Sequence, residues 1–125
     1  MDGFVGSFEN PDKTIPYAHG SVEVVKLGGG SVNFQTLTPG WRWCNDMRPI
    51  LGTDSCPARH VGYCLTGQLH VELDDGGALD IKAGDLFIIP PGHDGWTVGD
   101  DTCTLLDWGA MAIQPAPAGN DGGRA

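Results

Sequence analysis

Residues 84–96 read GDLFIIPPGHDGW, and the fold turns on how they are read. Gly84-Asp85 makes a turn, four apolar residues follow, and Pro90-Pro91-Gly92 ends the run just before His93. Leu86, Phe87, Ile88 and Ile89 read as a strand that is apolar on both faces, and such a strand is expected to be covered on both sides. His93 then has two open readings. It is a metal ligand facing a pocket, or it closes the turn and donates to Asp94.

Outward from this stretch the same punctuation repeats. Twenty glycines and nine prolines are scattered between short runs rich in β-branched and aromatic residues. SVEVVKL (21–27), GGG and SVNFQTL (31–37) predict a hairpin, with Val32, Phe34 and Thr36 alternating with Asn33 and Gln35. HVGYCLTG (60–67) and QLHVELDDGG (68–77) predict a second strand pair about Gly67. Gln68, His70 and Glu72 share one face of its second strand, so His70 is expected at the surface. WTVGDDTCTLLDW (96–108) predicts two further strands joined by Gly-Asp-Asp. No amphipathic run of helical length stands out. Many short strands with Gly/Pro turns predict an all-β sandwich or barrel. The expected organisation is an N-terminal arm over residues 1–20, a barrel over 21–111 and a flexible tail over 112–125.

Composition narrows the function. The chain has 125 residues, 40% hydrophobic, with 16 acidic against 7 basic residues and a net charge of -9. That balance argues against nucleic-acid binding and against docking on an anionic membrane. No secretory signal or membrane span is read from the sequence, so a cytoplasmic location is expected. Cys44, Cys56, Cys64 and Cys103 are then expected as thiols, at least two of them small buried core residues.

Residues 41–60, WRWCNDMRPILGTDSCPARH, fit no strand pattern. They hold two of the four tryptophans, two of the four cysteines and three of the seven basic residues. A loop this long in a small domain is either a functional loop or a plug packed by Trp41 and Trp43.

The turn residues carry a family resemblance. Gly84, Pro90 and Gly92 match the second motif of the cupins, in which Gly, Pro and Gly precede a His and an Asn. Here those last two positions hold Gly95 and Gly99. Gly67 matches the glycine that ends the first cupin motif, which places His60 at the Glu position and Asp54 and Cys56 at the two His positions. The resemblance covers about residues 31–109 and implies a double-sheet jelly-roll β-barrel, often paired as a homodimer. Cupins include dioxygenases, isomerases, epimerases, decarboxylases, cyclases, storage proteins and ligand sensors, with and without metal, so the fold alone implies no reaction.

On that template Asp54, Cys56, His60 and Cys64 are expected to line the barrel, with small Gly62 leaving room and His93 opposite. Imidazole and thiolate together suit zinc, iron or copper. Cys56, His60 and His93 would supply three ligands, with Asp54 as a fourth or as a partner orienting a histidine. His60 or His93, if unligated, would move protons. The opposing reading makes His60 a buried polar residue bonded to a backbone carbonyl, and Cys56 and Cys64 core residues. Arg48 and Arg59, with Arg42, are expected at the mouth, where guanidinium forks suit carboxylate or enolate oxygens. Trp41, Trp43 and Trp96 would supply flat walls. The arginines pair instead with surface carboxylates in the opposing reading. Three functions follow. One is a metal-dependent enzyme acting on a small organic acid or carbonyl compound, another a metal-free metabolite-binding module, and the third a structural dimer with a filled barrel.

Overall fold

The Gly/Pro punctuation cuts the chain into strands of four to eight residues. A computed structural model describes residues 2–111, so the tail expected over 112–125 lies outside the described residues. The elements are β1 (Lys13–Tyr17), β2 (Gly20–Leu27), β3 (Gly30–Leu37), α1 (Trp43–Asp46), α2 (Arg48–Leu51), β4 (His60–Thr66), β5 (Gln68–Leu73), β6 (Ala78–Lys82), β7 (Leu86–Ile89), β8 (His93–Thr97) and β9 (Cys103–Asp107). One sheet has the order β1-β2-β3-β9-β4-β7 and the other β6-β5-β8. All pairings are antiparallel. This is the expected all-β, double-sheet jelly-roll barrel.

The first hairpin forms as expected, and its register sets Leu27 opposite Gly30 and Val25 opposite Val32. Residues 41–59 lie outside the strands. They make the two single helical turns α1 and α2, the second ending at Gly52 in the left-handed conformation. The N-terminal segment lies across the outer face of the larger sheet, Phe8 against Phe34 with ring centroids 5.6 Å apart.

Two expectations fail. β4 and β5 do not pair: β4 lies between β9 and β7, and β5 between β6 and β8. The chain passes from one sheet to the other at Gly67, whose φ is 73°. A Cβ there would stand 2.5 Å from the Thr102 carbonyl oxygen, so the corner admits no side chain. β7 is also not covered on both sides. It is the edge of the larger sheet, with Phe87 and Ile89 buried inward but Leu86 74% and Ile88 60% exposed outward.

The inward faces close on a core of Leu37, Trp41, Trp43, Cys56, Cys64, Leu69, Val71, Ile81, Phe87, Ile89, Cys103 and Leu105. Large apolar members of such a set contribute about 1.5–3 kcal/mol each on burial. The core is not solid, and the barrel keeps a cavity of about 210 Å³.

Candidate metal and ligand site

Three backbone arrangements build the site. Cys56 forms an isolated bridge with His93: its N–H donates to the His93 carbonyl at 2.8 Å, and its carbonyl accepts from the Gly92 N–H at 2.7 Å. His60 opens β4 opposite Ile89, next to the Pro90-Pro91-Gly92 turn. Asp107 closes β9, opposite Gly62 of β4 and Asn33 of β3. Period-two alternation turns His60, His93 and Asp107 inward.

Cys56, His60 and His93 thereby offer three ligand atoms within 4.8 Å of one another. The two imidazole rings meet edge to face, centroids 5.2 Å apart. The His93 Nδ1–H donates to the Pro90 carbonyl at 2.8 Å, which answers the question posed by the GHD sequence. His93 is 5% exposed, faces the cavity and does not donate to Asp94. The His60 Nδ1–H donates to Asp107 Oδ2, and its Nε2 lies 3.6 Å from the Cys56 sulfur. Asp107 also accepts from Gln35 Nε2 at 3.3 Å and from the Gly109 N–H at 2.9 Å.

The electrostatics follow from these contacts. Burial alone would raise the Cys56 pKa, but hydrogen bonds from His60, His93 and the backbone outweigh it and bring it down to about 6. Burial alone would lower the His60 pKa, but Asp107 and the Cys56 thiolate raise it to about 9. Burial opposes ionisation of Asp107 as well, yet His60 holds its carboxyl below the usual range. Cys56 and His60 thus form a thiolate–imidazolium pair at neutral pH, steadied by Asp107.

This donor set fits a transition metal. Each histidine has its Nδ1 engaged, which leaves Nε2 as the free nitrogen. The thiolate is already formed. Tetrahedral zinc places its ligand atoms about 3.5 Å apart, within side-chain reach of the arrangement seen here. Zinc, iron and copper all accept such ligands.

The remaining expected site residues divide. Trp41 and Trp43 line the cavity. Asp54 does not: its side chain is fully exposed and pairs with Arg48 at 3.4 Å, because the 52–59 loop leaves the ladder except at Cys56. Arg48 therefore faces solvent. Arg59 is also exposed, one residue out of phase with inward His60. Trp96 alternates outward on β8, stacked between His70 and the Arg42 guanidinium, and Arg42 pairs with Asp94 at 3.0 Å. His70 sits on that outer face, bonded to Asp80 and Glu72. Cys64 does not line the cavity. It is fully buried, donates to the Thr66 carbonyl at 3.3 Å and has its pKa raised by burial. All four cysteines are free thiols. Gly62 opens no space either, since a Cβ there would meet the Leu106 carbonyl oxygen at 1.8 Å. It permits close approach of β4 and β9.

Sequence reasoning missed Asp107, Asn33, Gln35 and Tyr17, all of which line the cavity. A signal existed for Asp107: in CTLLD, Cys103, Leu105 and Asp107 share one face, and an acid on an apolar face needs a partner.

No family model and no curated protein match the chain. Solved structures do. KdgF from Halomonas sp. is 17% identical with a TM-score of 0.57, over 86% of this chain and 91% of that one. AerE from Microcystis aeruginosa is 16% identical with a TM-score of 0.57, over 82% of this chain and 47% of that one. The oxalate decarboxylase of Lactobacillus farciminis, solved as a formate complex, is 18% identical with a TM-score of 0.57, over 76% of this chain and 30% of that one. Together with the strand order and the Gly-Pro-Gly turn, these likenesses define the fold as a jelly-roll barrel of the cupin type. No helix among the described residues is long and apolar enough to cross a membrane.

Proposed function

We propose that this protein is a metal-dependent enzyme that acts on a small organic acid or carbonyl compound inside the barrel. The supporting observation is the convergence of Cys56, His60 and His93 at the wall of an apolar cavity. Three protein ligands leave one position for substrate, the usual form of a catalytic centre. A divalent ion held there supplies Lewis-acid polarisation of a substrate oxygen, and redox chemistry as well if it is iron or copper.

The chain's own residues do the rest. Asp107 and the Pro90 carbonyl fix the two histidines so that each Nε2 is free for the centre. Trp41, Trp43 and Phe87 give the cavity an apolar wall. In the metal-free form Asp107 and the Cys56 thiolate keep a proton on His60 at neutral pH, so metal uptake would release that proton. The likeness to an oxalate decarboxylase with formate supports a small acid as one substrate class. Pairing of two copies through the β7 edge belongs to the same reading, supported by exposed Leu86 and Ile88.

A second reading, a metal-free metabolite-binding barrel, is favoured by the same cavity and its tryptophan walls. Elemental analysis of the purified protein beside His60→Ala separates the two. Near-stoichiometric zinc, iron or copper that falls in the variant is the expected result. No metal after reconstitution in chelator-free buffer leaves the binding barrel.

A further inference from the structure

Two side chains reach Asp107 from opposite sides, and the metal-dependent reading uses only one of them. Asp107 lies on β9, opposite Asn33 of β3 and Gly62 of β4. Gln35 and His60 each sit two residues along from those positions, on the diagonal. Diagonal neighbours across a sheet are within reach of long side chains. Gln35, Asp107 and His60 thereby form a row across three strands that ends at Cys56.

Gln35 is an odd occupant of its position. Its strand partners are Val22 on β2 and Leu105 on β9, and all three line the cavity beside Leu37. An aliphatic side chain would pack there at least as well, and an amide withdrawn from water costs free energy unless it is bonded. Its Nε2 donates to Asp107 Oδ2, the oxygen that also meets the His60 Nδ1–H. The other carboxyl oxygen, Oδ1, accepts from the Gly109 N–H at 2.9 Å.

These contacts divide the work. A carboxyl group held at one oxygen still pivots, because the torsion about its Cβ–Cγ bond is broad. Gly109 holds one oxygen and Gln35 the other, so the plane of the group is fixed. That plane sets the direction of the bond to His60 Nδ1, and with it the direction of Nε2, which lies 3.6 Å from the Cys56 sulfur. The His60 side chain is 20% exposed, so its ring relies on this bond as well as on packing. A ligand held in place beforehand binds metal with less loss of freedom.

Resting on the metal-dependent reading, we propose that Gln35 is a positioning residue: its amide orients the Asp107 carboxyl group, which in turn aims His60 at the centre it forms with Cys56 and His93. The test uses the full chain carrying Gln35→Met, Asp107→Ala or both, with Gln35→Leu as the substitute if Gln35→Met does not fold. Methionine keeps the length and flexibility of the side chain without the donor. Zinc affinity is read by competition with a chromophoric chelator. Gln35→Met should weaken zinc about tenfold, the low end of the loss for a group behind a ligand. With no carboxyl left to orient, the same change in Asp107→Ala should alter affinity by less than about twofold, since groups acting in series are not additive. The cobalt(II) form gives a reading that packing alone would not move. Its visible d–d bands should shift in Gln35→Met and should match between Asp107→Ala and the double variant.

A further measurement needs no metal. In zinc-free protein with 15N-labelled histidine, the His60 Nδ1–H resonance, assigned through His60→Ala, should be resolved. Gln35→Met should speed its exchange with water about tenfold, the scale of one hydrogen bond. Equal zinc affinity and equal exchange in Gln35→Met and wild type overturn the proposal. So does a loss of zinc affinity that persists in full in Asp107→Ala, which would assign Gln35 to the packing of the wall. So does a wild-type His60 Nδ1–H that exchanges too fast to be seen. The zinc-free arm keeps the two proposals apart. A protein that takes up no metal yet loses protection of His60 in Gln35→Met loses the metalloenzyme reading and retains the role of Gln35.

Discussion

Cys56 and Cys64 are both buried cysteines on the inner side of the barrel, eight positions apart, and their chemistry is opposite. Cys56 meets two imidazoles across the 56–93 bridge and is held as a thiolate, with a pKa of about 6. Cys64 meets the Thr66 carbonyl and Cys103, another buried thiol, and burial raises its pKa. Burial is common to both. The partner decides the outcome: a cationic neighbour turns a buried sulfur into a ligand or nucleophile, while a carbonyl or a second thiol leaves it a small apolar residue.

The most severe way to break this contrast is to truncate each cysteine. Cys56→Ala should lower zinc affinity by more than about 100-fold, beyond the loss that follows removal of a partner behind a ligand. It should change the melting temperature little in metal-free protein. Cys64→Ala should do the reverse, leaving zinc affinity intact and costing about 1–2 kcal/mol of stability through the small cavity it opens. Competition with a chromophoric chelator and thermal melts measure both.

Asp107→Asn is a gentler cut. The amide oxygen can still accept from His60, but it no longer favours the charged ring, so zinc affinity should fall about 10–100-fold. Equal zinc affinity in Asp107→Asn and wild type would show that the carboxylate does not tune His60.

The pH dependence sharpens the contrast with the smallest change. In metal-free protein the thiolate absorbance near 240 nm, taken as wild type minus Cys56→Ser, should disappear as pH falls through about 6, whereas an ordinary thiol loses it near 9. The sign follows from the depressed pKa: the anion survives at lower pH because the two histidines stabilise it. Asp107→Asn weakens the His60 cation and should move that midpoint upward. Cys64 should add no thiolate signal over the same range.

The strands were legible because alternation and turn glycines are local signals. The β2–β3 hairpin and the Pro90-Pro91-Gly92 turn needed no partner to be read. Pairing was less legible. HVGYCLTGQLHVEL looks like a hairpin, yet β4 and β5 enter different sheets, since nothing local tells a tight turn from a corner at Gly67. β7 read as covered on both sides, but an apolar run does not reveal whether its strand is central or at an edge.

The site was half legible. Cys56 and His60 came from counting back from Gly67 and His93 from its place after the Pro-Pro-Gly turn, and the bridge from 56 to 93 brings the three together. Asp54 and Cys64 came from the same counting, and Arg48, Arg59 and Trp96 from residue type, but the departure of the 52–59 loop from the ladder, strand alternation and core packing send all five elsewhere. Asn33 and Gln35 hid in plain view. The polar side of β3 faces inward because the barrel holds a cavity there, while Val32, Phe34 and Thr36 face outward and Phe8 packs against Phe34.

The corner at Gly67 has a mechanical consequence. At this crossing a single residue joins β4 to β5, with the Thr102 carbonyl too close to admit a side chain. That seam has no slack, so the sheets cannot slide past each other there. The segment from Trp41 to Leu51 is built differently: it lays Trp43, Met47 and Leu51 against the cavity and ends at left-handed Gly52. A single residue inserted after Gly67 should prevent the layers from closing, whereas one added in the exposed 52–59 loop should be tolerated.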